Sequence, residues 1–173
     1  EAANVAAFWV APDEIVVGSA NPFRIKVWSL SSNKVETFPL KDADADQFSY
    51  VYLPESRVIV ALRGTETGPT AVILWDVATR RTLSFCDIRF GWGTGRGAIA
   101  NLKAGLSRDG SRLAVHDWTS VKILDLLRGG EPVAKIDLTT RSGIQGLALS
   151  PDGRQVAVAV RDHPSIMIAD VAT

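Results

Sequence analysis

The chain has 173 residues, enough for one domain with its own core, and 46% of them are hydrophobic, which excludes intrinsic disorder. Nineteen basic and nineteen acidic residues cancel and neither sign forms a block, so the basic stripe of a nucleic-acid binder is missing, and no apolar run is long enough for a bilayer-crossing helix. A single cysteine, Cys86, and two histidines supply neither an internal disulfide nor the ligand set of a zinc site, and a cytoplasmic location is expected.

Taken in chain order, the sequence repeats one pattern four times. VAAFWVA (5–11) leads through a turn into the apolar run of APDEIVVGSA (11–20), followed by RIKVWS (24–29) and KVETFPL (34–40). The second unit reads FSYVYL (48–53), LPESRVIVALRG (53–64), AVILWD (71–76) and RTLSFCDI (81–88). The third reads LKAGLS (102–107), SRDGSRLAVHDW (107–118), SVKILD (120–125) and PVAKIDL (132–138). The fourth has only three runs: IQGLALS (144–150), SPDGRQVAVAVRD (150–162) and SIMIAD (165–170). Alternating apolar residues rich in β-branched types predict strands, and the glycine, proline, asparagine and aspartate between them predict hairpin turns. No segment sustains an apolar period of 3.6, so the expected fold class is all-β.

The apolar runs that follow the first turn of each unit begin at Ile15, Val58, Leu113 and Val156, at intervals of 43, 55 and 43 residues. That spacing is a repeat with one insertion, and four short antiparallel strands per unit form the blade of a β-propeller. A single repeat domain over 1–173 is expected, with repeats at about 5–40, 48–88, 102–138 and 144–173. The four apolar runs should be buried on both faces between blades, with Trp28 and Trp75 packed there as well. Because the fourth unit lacks its outer strand, an open arc of about four blades, or part of a larger propeller, is expected in preference to a closed four-blade ring.

Val27-Trp28-Ser29, Leu74-Trp75-Asp76, Ile123-Leu124-Asp125 and Ile168-Ala169-Asp170 resemble the Trp-Asp position of WD40 repeats. The Ser150-Pro151-Asp152-Gly153 and Arg108-Asp109-Gly110 turns resemble that family's first hairpin. The resemblance covers essentially the whole chain, but the Gly-His pair that opens many WD40 repeats is absent, and Leu124 and Ala169 replace tryptophan. The family's Trp–Ser/Thr–His–Asp hydrogen-bond network is therefore incomplete. The resemblance implies degenerate WD40-like repeats, a β-propeller that presents loops to partners and has no chemistry of its own.

FGWGTGRGA (90–98) contains a loose G-x-G-x-x-G/A pattern, but a dinucleotide fingerprint needs a helix after it and an acidic residue about twenty positions on. The turn-rich IANLKAGLSRDG that follows provides neither, so no phosphate site and no cofactor are expected. The stretch is better described as surplus length between blades two and three, and a second surplus lies at 64–70 inside blade two. Both should emerge at the same end of the sheets as 116–119. Glu66, Arg89, Trp92, Arg96 and Trp118 are thus the expected partner-binding cluster, since exposed tryptophan and arginine on extended loops are typical hot-spot residues. The plainer alternative is that Trp92 and Trp118 fold back over their own blades. His116 and His163 lack a neighbouring nucleophile, and Asp13, Asp109 and Asp152 are turn residues, so no catalytic residue and no metal site are expected. The expected function is a non-catalytic scaffold for a protein or peptide partner, with no nucleic-acid or membrane partner. Two other classes stay open: a ligand-binding or enzymatic propeller using a central funnel, for which the apolar inner strands offer little, and an assembly module in which a second chain completes the ring.

Overall fold

The computed structural model describes residues 5–20, 23–40, 47–65, 68–87, 103–116, 120–138, 143–161 and 164–171. Sheet 1 contains β1 (Val5–Ala11), β2 (Glu14–Ala20), β3 (Phe23–Ser29) and β4 (Lys34–Pro39). Sheet 2 contains β5 (Gln47–Leu53), β6 (Val58–Thr65), β7 (Gly68–Asp76) and β8 (Arg81–Asp87). Sheet 3 contains β9 (Ala104–Leu106), β10 (Arg112–His116), β11 (Ser120–Asp125) and β12 (Glu131–Asp137). Sheet 4 contains β13 (Ile144–Leu149), β14 (Gln155–Val160) and β15 (Ile166–Asp170). Every pairing is antiparallel between sequence neighbours, and there is no helix among the described residues. The fold is all-β, four blade-like sheets stacked in chain order without closing into a ring.

The stacking follows from strand geometry. Side chains alternate across a strand, so each sheet has a side facing the preceding sheet (the N-side) and a side facing the following one (the C-side). Val16, Ile25 and Val27 on the C-side of sheet 1 meet Ile59, Ile73 and Trp75 on the N-side of sheet 2. Val60, Leu62 and Leu74 of sheet 2 meet Leu113, Val115 and Leu124 of sheet 3. Ala114, Val121 and Ile123 of sheet 3 meet Val156, Val158 and Val160 of sheet 4. Three apolar layers of the same construction hold the four sheets together.

Register makes the repeat explicit. One row of paired residues crosses each N-side: Trp9–Ile15–Trp28–Val35 in sheet 1, Tyr52–Ile59–Trp75–Thr82 in sheet 2, Leu106–Leu113–Leu124–Pro132 in sheet 3 and Leu149–Val156–Ala169 in sheet 4. The structural equivalent of Ile15, Leu113 and Val156 is therefore Ile59, whereas Val58, the first apolar residue of its run, lies on the C-side. A one-residue offset moves a side chain to the opposite face, and run starts alone do not reveal it.

Burial of both faces holds only for the middle sheets. Val58 to Leu62 and Leu113 to Val115 are fully enclosed, but Ile15 and Val17 in sheet 1 and Ala157 and Ala159 in sheet 4 remain half open to solvent. The two tryptophans part company for the same reason. Trp75 is 1% exposed, while Trp28, its equivalent in sheet 1, is 40% exposed because no sheet among the described residues covers that face, and its Nε1 donates to Asn33 Oδ1 at 3.2 Å. The surplus at 64–70 is not simply a loop either. Strands β6 and β7 extend into it past a bulge at Arg63/Gly64 and pair as far as Thr65 with Gly68.

One close approach fixes the spacing of sheets 1 and 2. A Cβ on Gly18 would lie 2.7 Å from the Tyr50 ring, so the bare backbone at this point gives the ring its space. Tyr50 packs 5.9 Å from Phe23, centroid to centroid, and donates its hydroxyl to the Ser19 carbonyl at 2.7 Å. Burial pushes that hydroxyl well above the ordinary tyrosine range, which keeps it a neutral donor. Replacing Trp75 with alanine should cost about 3–5 kcal/mol by urea denaturation, as for other large-to-small core changes, whereas Trp28→Ala should cost less than about 1 kcal/mol. Equal losses at the two positions would contradict the open N-side of sheet 1.

Candidate interaction surface

Strand direction sets which loops share an edge. The pairs Thr65 with Gly68, Ala71 with Asp87, Val115 with Ala104 and His116 with Val121 all sit at one end of sheets 2 and 3. The described strands that bracket the elongated connections therefore end together, along one edge of two packed sheets. Glu66, Arg89, Trp92, Arg96 and Trp118 themselves lie outside the described residues, as does the whole glycine-rich stretch 90–98. The next described element after that stretch is strand β9.

Sequence reasoning overlooked the polar residues buried beneath this edge. His116, at the end of β10, Ser120 and Lys122 are all enclosed between sheets. Each of the three interacts with a neighbouring group. Their signal in the sequence was weak: Lys122 interrupts an otherwise apolar strand, SVKILD, and His116 closes another.

The opposite edge carries the hairpin turns, and here each recurring polar residue has a local task. In sheets 3 and 4 the same turn is built twice. Ser107 Oγ donates to Asp109 Oδ1 at 2.6 Å and accepts from the Arg112 amide at 2.9 Å; Ser150 Oγ donates to Asp152 Oδ1 at 2.6 Å and accepts from the Gln155 amide at 2.9 Å. Gly110 and Gly153 complete the turns at φ 74° and 70°, in the left-handed region that glycine enters without steric cost. The aspartates that end β7 and β11 cap the next turn: Asp76 accepts from the Thr79 amide at 2.6 Å, and Asp125 from the Leu127 amide at 3.0 Å. The Ser107 hydroxyl, with the amide and hydroxyl of Ser111, holds the Asp109 carboxyl down at about 2. Asp152 is lowered for the same reason, with Ser150 the main donor.

Polar contacts also tie sheets to one another along this edge. Arg80 enters the left-handed region at φ 57° and bridges from sheet 2 to two carboxylates on the C-side of sheet 1, Glu14 at 2.6 Å and Glu36. Lys34 contacts Glu36 at 2.8 Å, and its hydrogen bond is the main reason that the Glu36 carboxyl lies below its ordinary range. Between sheets 3 and 4 the Arg108 amide donates to the Pro151 carbonyl at 2.9 Å, and Arg112 donates to the Gly153 carbonyl at 3.0 Å.

A cleft of about 230 Å³ lies where the innermost strands converge, lined by Leu53, Ala104, Leu106, Leu147 and Leu149 with Glu55 and Ser56 at its polar side. It is smaller than the roughly 300–1,000 Å³ typical of small-molecule pockets and has few convergent polar groups. Cys86 is buried and its Sγ lies 3.3 Å from the Ser84 hydroxyl. No helix among the described residues is long and apolar enough to cross a membrane. No protein-family model matches the chain, and no curated protein matches it.

Two measurements check these assignments. The Asp109 carboxyl should titrate near 2 by carbon-13 NMR; because its folded value is depressed from 3.8, its stabilising effect is full above 3.8 and lost as pH falls towards 2. A midpoint at the ordinary value would mean that the turn bonds do not persist in solution. Arg80→Ala should lower stability by only about 0.5 kcal/mol, given its partial exposure, and the difference should shrink in concentrated salt.

Proposed function

We propose that the chain is a non-catalytic interaction scaffold of the WD40-like kind, which presents the loops at one edge of sheets 2 and 3 to a protein or peptide partner. The observation that carries this reading is the distribution of surplus length. The repeat is closely kept in the strands and hairpin turns, and the extra residues concentrate in connections whose bracketing strands end along one edge. Rigid strands beneath a variable loop edge are how binding loops are generally positioned. The recurring aspartates and serines support the same reading, because their side chains are engaged in turn bonds. Glu66, Arg89, Trp92 and Arg96 in those elongated connections, with Trp118 in the short connection at the same edge, supply the aromatic and cationic chemistry that protein interfaces favour. A reducing, cytoplasmic setting belongs to the same proposal, supported by a lone buried thiol.

The test is a paired capture experiment. Immobilised wild-type chain and a Trp92→Ala/Arg96→Ala variant are exposed to the same lysate, with circular dichroism and thermal melting confirming that both fold. Partner retained by the wild type should fall at least about tenfold on the variant, as expected when two hot-spot residues are truncated. Equal capture by two intact folds would overturn the assignment of this edge.

A further inference from the structure

Two features of the middle sheets meet at one place, the outer edge of β8. Outside sheets 1 and 4, the exposed large apolar side chains among the described residues are Leu83, 56% exposed, and Leu127, 84% exposed. Leu83 is the extra residue at the bulge in β8. Leu127 stands in the turn 126–130, whose Gly130 lies against β8: a Cβ on it would be 2.6 Å from the Cys86 Cβ. β8 is also the last strand of sheet 2, and no described strand pairs with its outer edge. The outer strands of sheets 1 and 3 are guarded. β4 carries Pro39 and a Lys34–Glu36 ion pair at 2.8 Å, and β12 carries Pro132 and a Lys135–Asp137 ion pair at 2.5 Å. Charges and prolines of this kind keep an edge from recruiting another strand. β8 reads RTLSFCD: it has a bulge, as β12 does, but neither charge nor proline between its end residues. An unguarded edge beside exposed leucines is suited to strand addition.

We infer that β8 pairs edge to edge with β8 of a second copy of this chain, antiparallel about a two-fold axis, so that the two copies of sheet 2 join into one continuous sheet. The strand's own sequence selects a second copy as the occupant. Arg81 opens the strand and Asp87 closes it, so antiparallel pairing of two copies sets unlike residue types at each end, whereas parallel pairing sets like with like. Ser84 is the midpoint of the seven residues, and an axis there pairs the whole strand. Residues opposite one another in an antiparallel pair share a face, and Phe85 and Thr82 share the N-side because they pair with Ile73 and Trp75. Ser84 then meets its own copy, and Phe85 of each chain meets the Thr82–Leu83 bulge of the other. Symmetry makes that aromatic–apolar contact twice. The sheets of this chain stack through their faces, and this edge, in the interior of the sequence, is not a surface that a further stacked sheet would cover. A two-fold contact uses each edge once and so closes at two chains.

The experiment is analytical ultracentrifugation of the 173-residue chain over a concentration series, with Leu83→Lys as the edge variant and Val35→Lys, on the exposed N-side of sheet 1, as the control. The wild type should sediment at about twice the 18.6 kDa chain mass. Leu83→Lys, folded by circular dichroism, should associate at least about tenfold more weakly, since lysine on an edge opposes strand addition. Val35→Lys should associate as the wild type does. The register has its own test, independent of whether Leu83→Lys folds. Under mild oxidation Ser84→Cys should give a disulfide-linked dimer, because Cα atoms opposite one another in an antiparallel pair lie about 4.5–5.5 Å apart, within disulfide reach. Thr82→Cys, displaced from its symmetry mate along the strand, should not, and the buried Cys86 common to both sets the baseline. A wild type that is monomeric at all concentrations, a mass that climbs past the dimer, association lost in Val35→Lys or kept in a folded Leu83→Lys, or equal cross-linking at positions 82 and 84 would overturn the proposal. The loop edge tested by lysate capture is a separate surface, so the two proposals fail independently.

Discussion

The structure depends on one constraint: an isolated four-stranded sheet with two apolar faces cannot leave both in water. Each sheet here has hydrophobic residues on successive positions of its second and third strands, so burying one side leaves the other exposed. Stacking sheets in sequence resolves this locally at every step and passes the problem on to the ends. The middle sheets, with Val58 to Leu62 and Leu113 to Val115 enclosed on both sides, are the satisfied case. Trp9 and Trp28 at one end and Ile166 and Ile168 at the other are what the same rule leaves over.

The polar groups divide along the strand axis. At the hairpin edge they are bound into turns and inter-sheet ties: Ser107 with Asp109, Ser150 with Asp152, and Arg80 with Glu14 and Glu36. These short-range bonds hold adjacent sheets in register at the edge where the chain reverses. The loop edge differs, since it collects the connections that vary in length over a base that includes the buried His116, Ser120 and Lys122. One stack thus has an edge of fixed, hydrogen-bonded turns and an edge of connections that vary in length.

Much of the architecture was legible because strands announce themselves locally. VAAFWVA matches β1 from end to end, SVKILD matches β11, and the two Ser-x-Asp-Gly turns form the same bonds in sheets 3 and 4. The face of a run is harder to read, as Val58 demonstrates, because hairpin loops of different lengths precede the second strand in different sheets. The surplus at 64–70 misled in a related way: pairing continues into it through a bulge, and a bulge leaves no distinct mark in the alternation. The five candidate contact residues rest on loop length and composition in the sequence, and the strand ends that bracket them share one edge.

What the sequence determined by itself was the unit: four antiparallel runs, their turns and the repeat interval, all set by interactions among residues near one another in the chain. What only the tertiary structure decided was the environment of each unit. Trp28 and Trp75 occupy the same place in the same motif, and nothing within either repeat distinguishes a buried tryptophan from an exposed one. Burial depends on whether another sheet covers that face, which is a property of position in the stack. For that reason the repeats could be read from the chain, while the two open faces appeared only when the sheets were assembled.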